Sequence, residues 1–200
     1  KPQTVESLGI SAEVWKTASE GVYSKIDDPK RLLTSPPMTN KTILDERKAD
    51  SKFGYFNLHG LKESNEWFGQ RDLSREGTDI EYPVALSTSN FTDASGAPAI
   101  VLSEACFGAW VLDKKVNESV ALNFLSRGTR AFVGSTVIAY GAPTKTLVAA
   151  DLLAYHFWTH IKSEVAAGYA LMRAKLALAS KMTSDRGYLD GEDQKTILSF

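Results

Sequence analysis

The chain has 200 residues, of which 43% are hydrophobic and 24% charged, and its formal net charge is -1. These values fit one folded domain or most of one, and they exclude disorder, collagen and coiled coil as the main architecture. Lys and Arg (23) do not outnumber Asp and Glu (24), so no basic excess points to nucleic acid, and no apolar run is long enough to span a bilayer. A single cysteine rules out an internal disulfide and a zinc site built on several thiolates.

In chain order, the first fifty residues show no convincing buried strand. Val14, Trp15, Ala18 and Val22 fall at helical spacing and predict a helix over 11–24. Pro29, Pro36 and Pro37 mark 27–39 as a loop, and Asn40 is placed to cap a helix through Ile43, Leu44 and Arg47. Residues 1–39 are therefore read as an N-terminal helix and loop, and 40–200 as the main domain. Phe53-Gly54-Tyr55-Phe56-Asn57-Leu58 is a short aromatic run that predicts a buried strand. Similar runs at 99–103, 130–135 and 196–200 predict three more, and Val84-Ala85-Leu86 a small edge hairpin. Helical patterns occupy 117–126, 144–162 and 164–180. Strands alternating with helices predict an α/β fold, with a mostly parallel sheet covered by helices on both faces. Lys1 is not an initiator methionine, and 196–200 reads as a strand stopped without a turn. The natural polypeptide is expected to extend past both ends.

In an open parallel sheet, ligands bind beyond the carboxyl ends of the strands. Two such ends carry reactive side chains: His59-Gly60 comes after the aromatic strand, and Glu104-Ala105-Cys106 after the strand at 99–103. If these strands are neighbours, thiol and imidazole open into one crevice. A thiol needs a base or cation beside it to ionise near neutral pH, and an imidazole supplies one and can later protonate a leaving amine. Gly60 lacks a side chain, so its N–H can approach a reacting carbonyl and, with the N–H of Cys106, form an oxyanion hole. The bland alternative is a buried structural cysteine and a satisfied histidine.

Other signals fall away. His156 and His160 lie one helical turn apart, but Phe157 stands where a zincin motif needs Glu, and the surrounding aromatics favour packing. No phosphate-binding glycine loop and no serine nucleophile elbow is present. No cofactor or metal is called for. Asn40, Asn90 and Asn117 match the glycosylation pattern, which has meaning only on a eukaryotic secretory route.

The apolar block ending in His59-Gly60, with the apolar block ending in Ala105-Cys106 after it, resembles the caspase-type cysteine peptidases, the group of caspases, legumains, clostripain, gingipains and separases. The gingipain-like family is the closer match. Asn40-Lys41-Thr42-Ile43-Leu44 is similar to its helix before the histidine strand, and Tyr55 to Gly60 with Trp67-Phe68-Gly69 to its base loop. The run from Arg130 to Thr136 is similar to the strand after the nucleophile, and Ile197-Leu198-Ser199-Phe200 to the start of the last conserved strand. The resemblance implies a caspase-like three-layer sandwich and a cysteine endopeptidase with Cys106 as nucleophile, His59 as general base and acid, and Gly60 and Cys106 as oxyanion donors. It implies peptide or protein substrates and a secreted or surface bacterial protein. The family's sheet has more strands than the four legible here, so a further pair is expected before residue 1, with the remainder of the precursor as a companion chain.

The resemblance also places Glu104, two residues before the nucleophile, at the border of the S1 pocket, where a carboxylate favours Arg or Lys at P1. Ser135, Thr136 and Tyr140 are expected on the opposite wall. The alternatives are that Glu104 pairs with Arg71, Arg75 or Arg130, that Tyr140 packs over the helix start at Pro143, and that the whole is a non-catalytic, partner-binding scaffold.

Overall fold

A computed structural model describes residues 7–42, 51–77, 79–91, 96–143 and 146–200. Five parallel strands form the central sheet: β1 (Ser7–Ala12), β2 (Leu33–Ser35), β3 (Phe53–Asn57), β7 (Ile100–Ser103) and β8 (Ala131–Gly134), in the order β2-β1-β3-β7-β8. Three short strands, β4 (His59–Gly60), β5 (Glu66–Phe68) and β6 (Val84–Ser87), form a separate antiparallel sheet. The helices are α1 (Lys16–Tyr23), α2 (Val120–Ser126), α3 (Ala149–Ile161), α4 (Ala167–Arg186) and α5 (Gly191–Ser199).

Side chains alternate across the central sheet and divide the core in two. Tyr55, Phe53, Leu102 and Val133 pack with α1, α3 and α4 through Tyr23, Leu153, Phe157, Trp158 and Leu178. Phe56, Leu58, Val101, Leu8 and Ile10 pack on the other side with Phe124 of α2 and with Trp67 and Leu86 of the small sheet. The chain is thus α/β, with a parallel sheet covered on both faces. No helix among the described residues is long and apolar enough to cross a membrane.

Two expectations need correction, and a third falls outside the described residues. The segment read as an N-terminal helix and loop also carries two strands of the central sheet: β1 is buried along its whole length between β2 and β3, so residues 7–39 are more than a helix and loop. Its sequence, Ser-Leu-Gly-Ile-Ser-Ala, hides the strand because one face is built from small residues that let α1 come close. Ser11 Oγ meets Ser19 Oγ at 2.7 Å, Ser7 Oγ meets Tyr23 Oη at 2.8 Å, and a Cβ on Gly9 would overlap the Tyr23 ring. Residues 196–200 are not a strand, since 191–199 form α5. Asp190 caps that helix by accepting from the N–H groups of Glu192 and Asp193, both at 2.9 Å, which commits the segment to a helical start. The helix expected through Ile43, Leu44 and Arg47 lies outside the described residues.

Candidate active site

The register of the central sheet builds the site. Tyr55 stands opposite Leu102 and Phe56 opposite Ser103. Beyond the ladder, the N–H of Glu104 still reaches the carbonyl of Phe56 at 2.8 Å. The ladder ends there, because His59 and Gly60 pair with β5 in the small sheet. The two segments stay close past the ladder: a Cβ on Gly60 would overlap the carbonyl oxygen of Cys106 and lie 3.2 Å from the Cβ of Ala105. Glycine is required there by closeness, not by backbone angle.

Cys106 is partly exposed, and its Sγ lies 3.6 Å from the carbonyl oxygen of Ala139. Its own N–H has no hydrogen-bond partner among the described residues. The next residue, Phe107, holds φ at 54°, a left-handed conformation unusual for a bulky side chain, and its N–H is tied to the carbonyl of Val137 at 2.8 Å. Strain of this kind persists where surrounding contacts over-determine the backbone, and it concentrates at functional turns.

His59 is held on several sides. The Trp15 ring packs on the imidazole with centroids 4.4 Å apart, Tyr82 meets it edge-on at 5.6 Å, and Nε2 lies 2.8 Å from Gln70 Oε1.

Behind Cys106 is a narrow cavity of about 30 Å³, whose lining includes Trp15, Asn57, Glu104, Cys106, Tyr140 and Asp151. Its polar groups are carboxylates and their partners. Glu104 is 6% exposed and Asp151 1%. Burial pushes the Glu104 carboxyl well above the usual carboxylate range, and the neighbouring charge of Asp151 adds to this. Burial likewise raises Asp151 to about 6, against the N–H of Ala142 at 2.8 Å and the amide of Asn57 at 3.4 Å, which favour its ionised form. Tyr55 Oη donates to Glu104 at 2.8 Å, and burial and the nearby carboxylates push its own ionisation well above the usual range. Two buried carboxyls in contact cannot both ionise cheaply, so the pair holds a proton at neutral pH.

Two of the three arginines considered as partners for Glu104 are engaged elsewhere. Arg71 donates to the carbonyl of Gly77 at 2.9 Å, and Arg75 pairs with Glu13 and Asp72 at 3.5 and 3.4 Å. Tyr140 lines the cavity, and its hydroxyl accepts from Lys195 at 3.2 Å. Ser135 and Thr136 do not line it. Ser135 Oγ is fully buried against Ser199 Oγ at 3.0 Å, and Thr136 Oγ1 donates to the Ser199 carbonyl at 3.2 Å. Asp151 and Gln70 had no signal as site residues in the sequence. Asp151 reads as an ordinary first-turn acid of a helix, and Gln70 as a polar loop residue.

His156 and His160 sit on α3, and burial lowers the His156 pKa, with His160 and Lys25 adding to the effect. Among the described residues, no group of three or more His, Cys, Asp and Glu side chains could hold a metal ion. A larger groove of about 510 Å³ runs between Lys62, Trp110 and Asn117, and no cysteine, histidine or hydroxyl side chain among the described residues lines it. No protein-family model matches the chain, and no curated protein matches it.

Proposed function

We propose that the chain is a cysteine endopeptidase of the caspase type, most similar to the gingipain-like family and built on a caspase-like sandwich, with His59 and Cys106 as its dyad. The observation that carries the reading is the close seating of Gly60 on the Cys106 carbonyl, which brings two reactive strand ends to one mouth. The thiolate of Cys106 attacks the scissile carbonyl, and the oxyanion is met by the N–H groups of Gly60 and Cys106. His59 takes the thiol proton and gives it to the leaving amine. Water then attacks the thioester, losing a proton to His59, and the acid product leaves as the thiol is restored.

The cavity behind the nucleophile supports selection at P1. Its charge is negative or neutral, with Glu104 and Asp151 as its ionisable floor. A Lys or Arg side chain entering it would displace the shared proton and leave the carboxylates paired with a cation. The free cavity is narrow, so entry requires the segment from Ala139 to Ala142 to move outward.

The test is cleavage of fluorogenic peptides that differ only at P1. Arg and Lys substrates are expected to be cut at least tenfold more efficiently than neutral ones. Cys106→Ala should abolish turnover, and retained activity would end the proposal. One observation favours a second reading, a scaffold without catalysis: the resting thiol engages the Ala139 carbonyl rather than a described base. Labelling with an arginyl chloromethyl ketone separates the two. Stoichiometric alkylation at Cys106 supports the peptidase, and an inert thiol in the folded protein supports the scaffold.

A further inference from the structure

The hydrogen bond between His59 and Gln70 reaches past the dyad. The antiparallel pairing of β4 and β5 places His59 opposite Phe68, so the chain leaving β5 returns along the imidazole. Gln70 is fixed there by its backbone: its N–H donates to the Ser35 carbonyl at 3.0 Å, and its carbonyl accepts from Val14 at 3.2 Å. Gly69 before it lies so close to Ser35 that a Cβ would overlap the Ser35 carbonyl, and its N–H reaches the Pro83 carbonyl at 2.9 Å. The side-chain amide is held at both ends, by His59 Nε2 at 2.8 Å and by Tyr82 Oη at 3.2 Å. A loop glutamine anchored at its backbone and at both amide atoms is built to orient what it touches.

We propose that Gln70 is a positioning residue for His59: its amide oxygen accepts the Nε2–H, fixes the neutral imidazole in the Nε2–H tautomer and leaves Nδ1 as the nitrogen that exchanges a proton with Cys106. The proposal rests on reading His59 and Cys106 as a dyad. Proton bookkeeping selects this amide orientation. The ring must take a proton at one nitrogen and then carry N–H at both, and an oxygen at Nε2 serves the neutral and the charged ring alike. The reverse orientation would set an amide N–H against a ring N–H as soon as the imidazolium forms. The titratable neighbour of the ring is Tyr82, edge-on to it, while Trp15 and Gln70 carry no charge.

The experiment reads the ring directly. In ¹⁵N-labelled protein above the His59 pKa, the imidazole shifts are expected to show Nε2 protonated and Nδ1 bare. A proton on Nδ1 would overturn the proposal. Gln70→Glu keeps the acceptor and adds a charge, so it should raise the His59 pKa by about one pH unit and carry the acid limb of the kcat/KM profile with it. An unmoved pKa would overturn the proposal. Gln70→Leu should lower kcat roughly ten- to a hundredfold with KM changed less than about threefold. Should Gln70→Leu fail to fold, the unmodified chain and Gln70→Glu decide the matter. A protein that shows the Nε2–H tautomer yet cuts no peptide supports the positioning of His59 and refutes the peptidase reading alone.

Discussion

Asp151 carries a cost that the fold accepts. Its carboxyl is raised to about 6 from an ordinary value of 3.8, chiefly by burial. The native state therefore binds a proton more tightly than the unfolded chain. Stability from this group is fully present below pH 3.8 and is lost as pH rises through about 6. Asp151→Asn removes the titration. Relative to the unmodified protein, the variant should gain roughly 2 kcal/mol in urea unfolding between pH 4 and pH 8. The same proton links to substrate choice. Below about pH 6, Asp151 adds a second proton to the one the pair already holds, and a cationic P1 group must displace it as well, so kcat/KM for an arginyl substrate should fall up to about tenfold per pH unit more steeply than for a neutral one. Equal slopes for the two substrates would remove the carboxyl pair from the specificity pocket. Sequence reading finds Glu104, because it sits two residues before Cys106 on the same strand end. It does not find Asp151, because Ala149-Ala150-Asp151-Leu152-Leu153 has the pattern of any helix start, and only tertiary packing turns that acid inward.

At the scale of elements, β1 and α1 form a joint of small residues. Gly9 lies under the fully buried Tyr23, whose hydroxyl is fixed by Ser7. Gly9→Ala pushes a methyl group into a ring that has no room to retreat, and should destabilise the fold by about 1–3 kcal/mol in chemical denaturation, with Gly9→Val worse. The same smallness conceals β1 in the sequence. Leu8 and Ile10 give it apolar character on one face only, and serine and glycine on the other read as a turn. The aromatic strand at 53–57 and the strands at 100–103 and 131–134 are legible because they are apolar on both faces, as strands buried between two layers must be. α5 fails in the opposite way. Thr196-Ile197-Leu198-Ser199-Phe200 is a short apolar run like a strand, while the deciding signal lies upstream in the Asp190 cap. Asp190→Ala should cost about 1 kcal/mol. It should also loosen the contacts of Ser199 with Ser135 and Thr136, seen as faster amide exchange at Thr136, whose N–H donates to the Ser199 carbonyl.

Across the whole molecule, stability and the site occupy different parts of one sheet. The two cores are built from the bodies of the strands, with Phe53, Tyr55 and Leu102 on one face and Phe56 and Val101 on the other. The residues of the candidate site sit just past the carboxyl ends of those strands: Trp15 after β1, His59 after β3, Cys106 after β7. Parallel pairing aligns these ends at one edge, as open α/β sheets do for their ligands. Damage at the rim should therefore leave the cores standing. Gly60→Ala tests this separation. Its methyl group overlaps the Cys106 carbonyl, backbone that cannot swing aside like a flexible side chain, so the two strand ends must part. The ladder from Phe53–Ile100 to Phe56–Ser103 lies upstream of the clash. The variant should keep its far-ultraviolet circular dichroism and lose only about 1–3 kcal/mol of stability. Under the proposed mechanism its kcat should drop by a hundredfold or more, because the proposed oxyanion donor Gly60 sits on that contact and the two strand ends part. A variant that unfolds outright would show that the rim is part of the core. One that keeps full activity would show that the seating of Gly60 on Cys106 has no part in catalysis.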